Sequence, residues 1–191
     1  MNKKQLWILV GGNGAGKSTF YSLYLEPLNL PFVNADRIAK ETYPENPEEH
    51  SYDAAKLAEE LRTQLLLSGA SFCFETVYSH PSKIDFVAQA KALGYEVIMV
   101  FIHLHMTMLN QARIAQRVRE GGHFVPESKV LKRIPKTLQN VKKSIALCDQ
   151  IHVIDNSSTE QPFKRVLLIQ HGKIKYSARI LPDWVSSILL S

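Results

Sequence analysis

The run Gly11-Gly12-Asn13-Gly14-Ala15-Gly16-Lys17-Ser18 sets an ammonium and a hydroxyl directly behind a glycine-rich turn. That order, G-x-x-x-x-G-K-S, is what a polyphosphate requires. Glycines let main-chain N–H groups wrap closely around an anion, the lysine reaches the outer phosphates, and the serine hydroxyl can hold Mg²⁺. Gly12, Asn13, Gly14, Ala15, Gly16, Lys17, Ser18 and Thr19 are therefore the candidate nucleotide-binding residues, with Ser18 the candidate metal ligand. The rival dinucleotide fingerprint, G-x-G-x-x-G, accepts Gly12 and Gly14 but meets Lys17 where its third glycine must stand. The expected ligand is a nucleoside triphosphate with Mg²⁺, and Lys17 is a candidate catalytic residue.

Transfer of a phosphoryl group to a hydroxyl also needs a group that orients or deprotonates the acceptor. Asp36 follows the short apolar stretch Pro31-Phe32-Val33-Asn34 and is the candidate base; a helix N-cap is its competing role. Glu75 ends the apolar run Ser71-Phe72-Cys73-Phe74. It could hold Mg²⁺ through water, bind substrate hydroxyls, or simply be a solvated strand end. Thr76 and Ser79 follow it as candidate substrate contacts. Arg113 and Arg117, four residues apart, share a helix face, whereas Arg119 points elsewhere. With His123 and Arg133 they flank the Gly121-Gly122 break, as a lid closing over a triphosphate would require. His103 and His105 have no acidic or cysteine partner at ligand spacing, so no metal site is assigned to them. Lys129, Lys132, Lys136, Lys142 and Lys143 read as a solvated helix face.

The elements that must position these groups alternate between strand and helix. Leu6 to Val10 is an apolar strand feeding the glycine loop, and a helix opening at Ser18 ends near Glu26-Pro27. Asn46, Pro47 and Glu49 read as the N-cap, N1 and N3 of a second helix, whose apolar face is Ala54, Ala58, Leu61 and Leu65. Helices over 81–93, 106–120 and 127–147 alternate with strands at 71–76, 95–104 and 151–154, and Pro135 should kink the last helix. Arg165–Gln170 and Lys173–Ser177 flank His171-Gly172 as a hairpin, and residues 181–190 form a closing helix. This pattern predicts an α/β fold: a three-layer P-loop NTPase with a mostly parallel sheet, a small lid and a C-terminal β-hairpin. Ligands then sit at the C-terminal strand ends, where the glycine loop, Asp36, Glu75 and Asp155 fall. No repeat or linker interrupts the chain, so residues 1–191 read as one P-loop kinase-like domain.

Composition narrows the class. Apolar content of 45% and charged content of 21% suit a soluble globular protein, and no apolar run reaches the length of a membrane span. Lys3-Lys4 before a short apolar run does not make a signal peptide, and Cys73 and Cys148 read as buried thiols, so the expected compartment is the cytoplasm. A net charge of +5 suits an enzyme handling ATP and an anionic substrate. Nucleic acid is disfavoured, because no basic stripe is interleaved with aromatics.

Together, Gly11–Ser18, Val33-Asn34-Ala35-Asp36, Phe74-Glu75-Thr76, the segment Arg117 to Pro126 with its Gly121-Gly122-His123, and Val153-Ile154-Asp155-Asn156 resemble the zeta toxin family of P-loop kinases. The resemblance implies that Asp36 is the catalytic base, that Glu75 and Thr76 line the acceptor pocket, that Arg117 contacts the triphosphate, and that Asn156 belongs to the nucleotide site. It further implies ATP as donor, the sugar 3′-hydroxyl of UDP-N-acetylglucosamine as acceptor, and an antitoxin protein as a candidate partner. Two departures stand out. The toxins' second phosphate-binding arginine falls on His123, with Arg133 the candidate substitute, and no fused antitoxin-like segment is recognised. Chloramphenicol phosphotransferase shares the glycine-loop-plus-aspartate layout, so another hydroxyl substrate, antibiotic or metabolite, competes with a nucleotide sugar. A nucleotide-dependent switch or slow ATPase with a protein or nucleic-acid partner is the non-kinase alternative.

Overall fold

A computed structural model describes residues 3–119 and 125–189. Its centre is a seven-stranded sheet in the order β2-β3-β1-β4-β5-β6-β7. The five strands β1 (Gln5–Val10), β2 (Phe32–Val33), β3 (Phe72–Thr76), β4 (Glu96–His103) and β5 (Gln150–Asp155) run parallel. β6 (Lys164–Gln170) adds antiparallel to β5, and β7 (Lys173–Ser177) adds antiparallel to β6 at the edge of the sheet. The turn between them places His171 and Gly172 both at positive φ, 49° and 72°, the conformation a two-residue hairpin needs to match strand twist.

The central strands are apolar because helices cover both faces. Alternate residues of β1 go to opposite sides. Leu6, Ile8 and Val10 join a core with Phe72, Phe74, Val97, Met99 and Phe101, against Ala58, Val87, Val141 and Trp184. These last four come from α3 (Ser51–Ser68), α4 (Ser82–Ala92), α6 (Glu127–Ser144) and α7 (Asp183–Leu189). Leu9 instead packs with Ala15, Tyr21, Leu25, Val100 and Ile154 under α1 (Lys17–Phe20), which continues as a π-helical turn through Leu25. The result is the three-layer arrangement that the alternating pattern predicts. α5 (Thr107–Arg119) and the start of α6 share a separate small cluster of Ile114, Val125, Val130 and Ile134. This satellite core joins α5 to α6, the two helices between which the sequence reading places a lid; the Gly121-Gly122 break itself, and His123, lie outside the described residues. None of the described helices is long and apolar enough to cross a membrane.

Two local expectations need correcting. α3 begins at Ser51 after His50, not at Asn46-Pro47, and has no side-chain N-cap. Residues 47–50 are taken up in a turn closed by the Ser51 N–H on the Glu48 carbonyl, with the His50 ring stacked on Tyr43 at 4.1 Å. The buried stripe of α3 is Ala54, Ala58, Arg62 and Leu66, while Leu61 is 39% exposed and Leu65 only half-buried. Steps of four residues, rather than four-three-four, follow the sheet here, and they carry a guanidinium into the slot where a leucine was expected. Its stem and plane suit that place, because the Arg62 guanidinium lies over the rings of Phe74 (5.1 Å) and Phe86 (5.6 Å).

Candidate active site

The glycine loop leaves β1 at its C-terminal end and turns directly into α1. Gly16, at φ 97°, lies in the left-handed region, and a Cβ there would stand 2.6 Å from the Asn156 amide nitrogen. Gly14, at φ 77°, would meet the main-chain carbonyl of Asn110 at 2.6 Å. Only glycine fits either position. The loop is braced from outside: Asn110 on α5 donates to the Asn13 carbonyl at 2.8 Å, and Asn156 after β5 donates to the Ala15 carbonyl at 2.9 Å.

Lys17 is 7% exposed, and its ammonium donates to the Gly12 carbonyl at 3.1 Å while facing Glu75 at 3.5 Å. Glu75 is a junction. Its Oε2 also accepts from the Ser18 hydroxyl at 3.2 Å and from the Asn34 amide at 2.9 Å. One carboxylate therefore ties together α1 through Lys17 and Ser18, the end of β2 through Asn34, and the end of β3 through itself. Ser18 and Glu75 present hard oxygen donors side by side, the chemistry that suits Mg²⁺.

Asn34 also settles the local role of Asp36. Its side chain accepts from the Arg37 N–H at 3.1 Å and caps α2 (Ala35–Thr42). Asp36 is thus free of capping duty and stands exposed in the first turn, at the wall of a cavity of about 930 Å³. The same cavity is lined by Lys17, Asn13 and Gly14 from the glycine loop, by Glu75, Thr76 and Ser79 around β3, and by Arg117 and Arg133. Arg133 sits 3.5 Å from the Asn13 amide oxygen.

The structure separates the other candidates from this group. Arg113, one turn from Arg117, does not line the cavity and donates to the Asn156 carbonyl at 2.8 Å, fastening α5 to β5. Arg119 turns back to the Ala115 carbonyl at 3.4 Å. Asn156 uses both side-chain heteroatoms within the protein, one on Ala15 and the other accepting the Phe163 N–H at 3.1 Å, so it is a brace of the loop. Thr19 is exposed on α1 and absent from the cavity wall. Both cysteines are buried thiols; burial, with the Glu75 carboxylate nearby, pushes Cys73 up, and burial beside Asp149 takes Cys148 to about 12.

Sequence reasoning missed four features of the site. Tyr78 is buried at φ 64°, a strained conformation for a bulky residue. It is held there by Ser144 on its hydroxyl (2.7 Å) and Asn140 on its carbonyl (3.0 Å), while Thr137 takes the Val77 carbonyl at 2.8 Å. These polar residues of α6 fix the loop that runs from Thr76, at the end of β3, to Ser79, yet in sequence they look like an ordinary polar helix face. Asn110 is likewise unremarkable in the one-dimensional pattern. Arg62 and Lys83 also line the cavity. The four-residue step from Ala54 and Ala58 to Leu66 was the signal that could have placed Arg62 inward.

Comparison with known proteins gives the family and the fold. The sequence profile described as zeta toxin matches residues 1–165. An uncharacterized protein of Haemophilus influenzae is 32% identical over 134 residues, covering 66% of this chain and 95% of that protein. Among solved structures, a chain of the PezAT chromosomal toxin-antitoxin system of Streptococcus pneumoniae superposes with a TM-score of 0.61 at 20% identity, over 81% of this chain and 68% of that one. A chain of the AvrRxo1-ORF1:-ORF2 structure with ATP gives a TM-score of 0.71 at 17% identity, over 91% of this chain but only 60% of the other. With a nucleotide-binding glycine loop at the end of β1 and a family match across most of its length, this chain belongs to the zeta toxin family and is a phosphotransferase of the P-loop kinase type.

Proposed function

We propose that the protein transfers the γ-phosphoryl group of ATP to a hydroxyl of a small molecule, with a nucleotide sugar such as UDP-N-acetylglucosamine the favoured acceptor. The observation that carries this reading is the single cavity shared by Asp36, Lys17 and Arg117. A base without capping duty faces the same space as the phosphate-binding lysine, which is what a hydroxyl-directed kinase needs.

In this reading Gly12 to Ser18 cradle the polyphosphate, and Lys17 leaves the Gly12 carbonyl for the outer phosphates. Ser18, with Glu75 beside it, would hold Mg²⁺, which when bound supplies charge neutralisation between the phosphates. Asp36 accepts the proton of the acceptor hydroxyl as that oxygen bonds to phosphorus and the bond to the β-phosphate oxygen breaks. Arg117, with Arg133 from the facing helix, offsets the negative charge spread over the transferring group. Thr76 and Ser79 contact the acceptor, and α6 holds their loop in place. The likeness to PezAT supports an antitoxin as a candidate partner.

The test is transfer of labelled phosphate from ATP–Mg²⁺ to UDP-N-acetylglucosamine, with Asp36→Asn as control. A labelled sugar nucleotide is expected from the intact protein alone, while Asp36→Asn still binds ATP. Undiminished turnover by Asp36→Asn would remove the base assignment. ATP binding without any labelled acceptor would remove the nucleotide sugar.

A further inference from the structure

A charged side chain that is fully buried is normally paired, because desolvation penalises an isolated charge heavily. Arg62 breaks that rule. It is 6% exposed, its Nε has no hydrogen-bond partner, and among the described residues no carboxylate forms an ion pair with it. Its planar group rests on Phe74 and Phe86, and its remaining side faces the cavity.

A second cation stands beside it. Lys83, in the first turn of α4, lines the same part of the cavity, and burial together with the Arg62 guanidinium pushes its ammonium down from its ordinary value. Glu59, one turn before Arg62, lies near enough to favour both charges but makes no ion pair with either. Two neighbouring cations, one buried and unpaired, are mutually unfavourable in the empty protein. An oxyanion bound between them removes the repulsion and satisfies the guanidinium. This cluster is carried by α3 and α4, whereas the cations of the phosphate-loop side, Lys17, Arg117 and Arg133, come from α1, α5 and α6. It is therefore a second cationic group in the same cavity.

We infer that Arg62 and Lys83 bind a phosphate group of the acceptor, so that the substrate is a phosphate ester or diphosphate rather than a neutral alcohol. The inference rests on the kinase reading for its orientation: the acceptor's hydroxyl lies at Asp36 and its phosphate at Arg62 and Lys83. It sets a nucleotide sugar apart from an uncharged antibiotic or free sugar, which would leave the buried guanidinium unpaired.

The experiment separates anion binding from transfer. The phosphate loop is first filled with AMP-PNP and Mg²⁺, and inorganic pyrophosphate is then titrated by calorimetry into the intact protein, Lys83→Gln and Arg62→Met. Binding to the intact protein is expected, weakened about tenfold or more in each variant, as loss of a charge-assisted hydrogen bond implies. Circular dichroism checks that Arg62→Met folds; Lys83→Gln, at a less buried position, decides the matter by itself if it does not. In the transfer assay, the same variants should raise KM for a phosphate-bearing acceptor by a similar factor with kcat nearly unchanged. No pyrophosphate binding to the intact protein, or equal binding by intact protein and Lys83→Gln, overturns the inference. Lys83-dependent pyrophosphate binding without transfer to UDP-N-acetylglucosamine would sink that acceptor and keep the subsite. Transfer to it with KM indifferent to Lys83 and Arg62 would do the reverse.

Discussion

Asn156 gives the sharpest prediction about how the phosphate loop keeps its shape. It is 4% exposed and makes two side-chain hydrogen bonds to main-chain groups, donating to Ala15 O at 2.9 Å and accepting from Phe163 N at 3.1 Å. Asn156→Ala removes the partner of each, at about 1–3 kcal/mol for a buried group left unsatisfied. Two such losses total about 2–6 kcal/mol, which for a protein of this size lowers Tm by roughly 4–24 °C. Because one of the two bonds ends on the glycine loop, ATP affinity should fall as well. Asn156→Asp separates the two bonds. It keeps an acceptor for Phe163 but sets a carboxylate against the Ala15 carbonyl and close to the polyphosphate site, so its ATP affinity should fall further than that of Asn156→Ala. Differential scanning fluorimetry and ATP calorimetry on the two variants provide the measurement. A Tm within about 2 °C of the intact protein, together with unchanged ATP affinity in Asn156→Ala, would refute the bracing argument.

Two further perturbations test the site and its surroundings. Gly16→Ala adds a Cβ 2.6 Å from the Asn156 amide nitrogen at a φ of 97°, so ATP binding measured by calorimetry should be lost while the far-UV spectrum stays native. His103 is buried between Phe101 and Trp184, and desolvation lowers it from the ordinary 6.5 to about 4, against the opposing pull of Asp155; His152 is lowered similarly. The unfolded chain then binds protons first as pH falls, so stability present above pH 6.5 should be lost progressively towards pH 4. His103→Phe keeps the ring stack and should flatten that slope in denaturation curves taken across the range; an unchanged slope would count against a buried neutral imidazole.

The elements themselves were largely legible in one dimension. β4 reads as a strand because a central parallel strand is buried on both faces and needs an unbroken apolar run. The β6–β7 hairpin reads from His171-Gly172, since local turn chemistry is written in adjacent residues. The start of α3 did not read correctly, because Asn46-Pro47 carries a capping signal that the chain spends on a turn packed against Tyr43. The Arg113–Arg117 pair likewise shared a helix face in sequence, but one guanidinium was claimed by the end of β5.

What the sequence determined alone was the chemistry whose atoms lie within one loop. The glycine spacing, Lys17 and Ser18 mark a candidate nucleotide site because eight consecutive residues carry the loop, the ammonium and the hydroxyl together. Tertiary structure decided everything that depends on residues far apart in the chain. It joined Glu75 to Ser18 and Asn34, gave capping of α2 to Asn34 and so released Asp36, set Asn140 and Ser144 to hold Tyr78, and turned Arg62 inward beside Lys83. The physical reason is that side-chain roles follow from which hydrogen bonds and charges remain unsatisfied after packing. That remainder is a property of three-dimensional neighbours, and no local spacing encodes it.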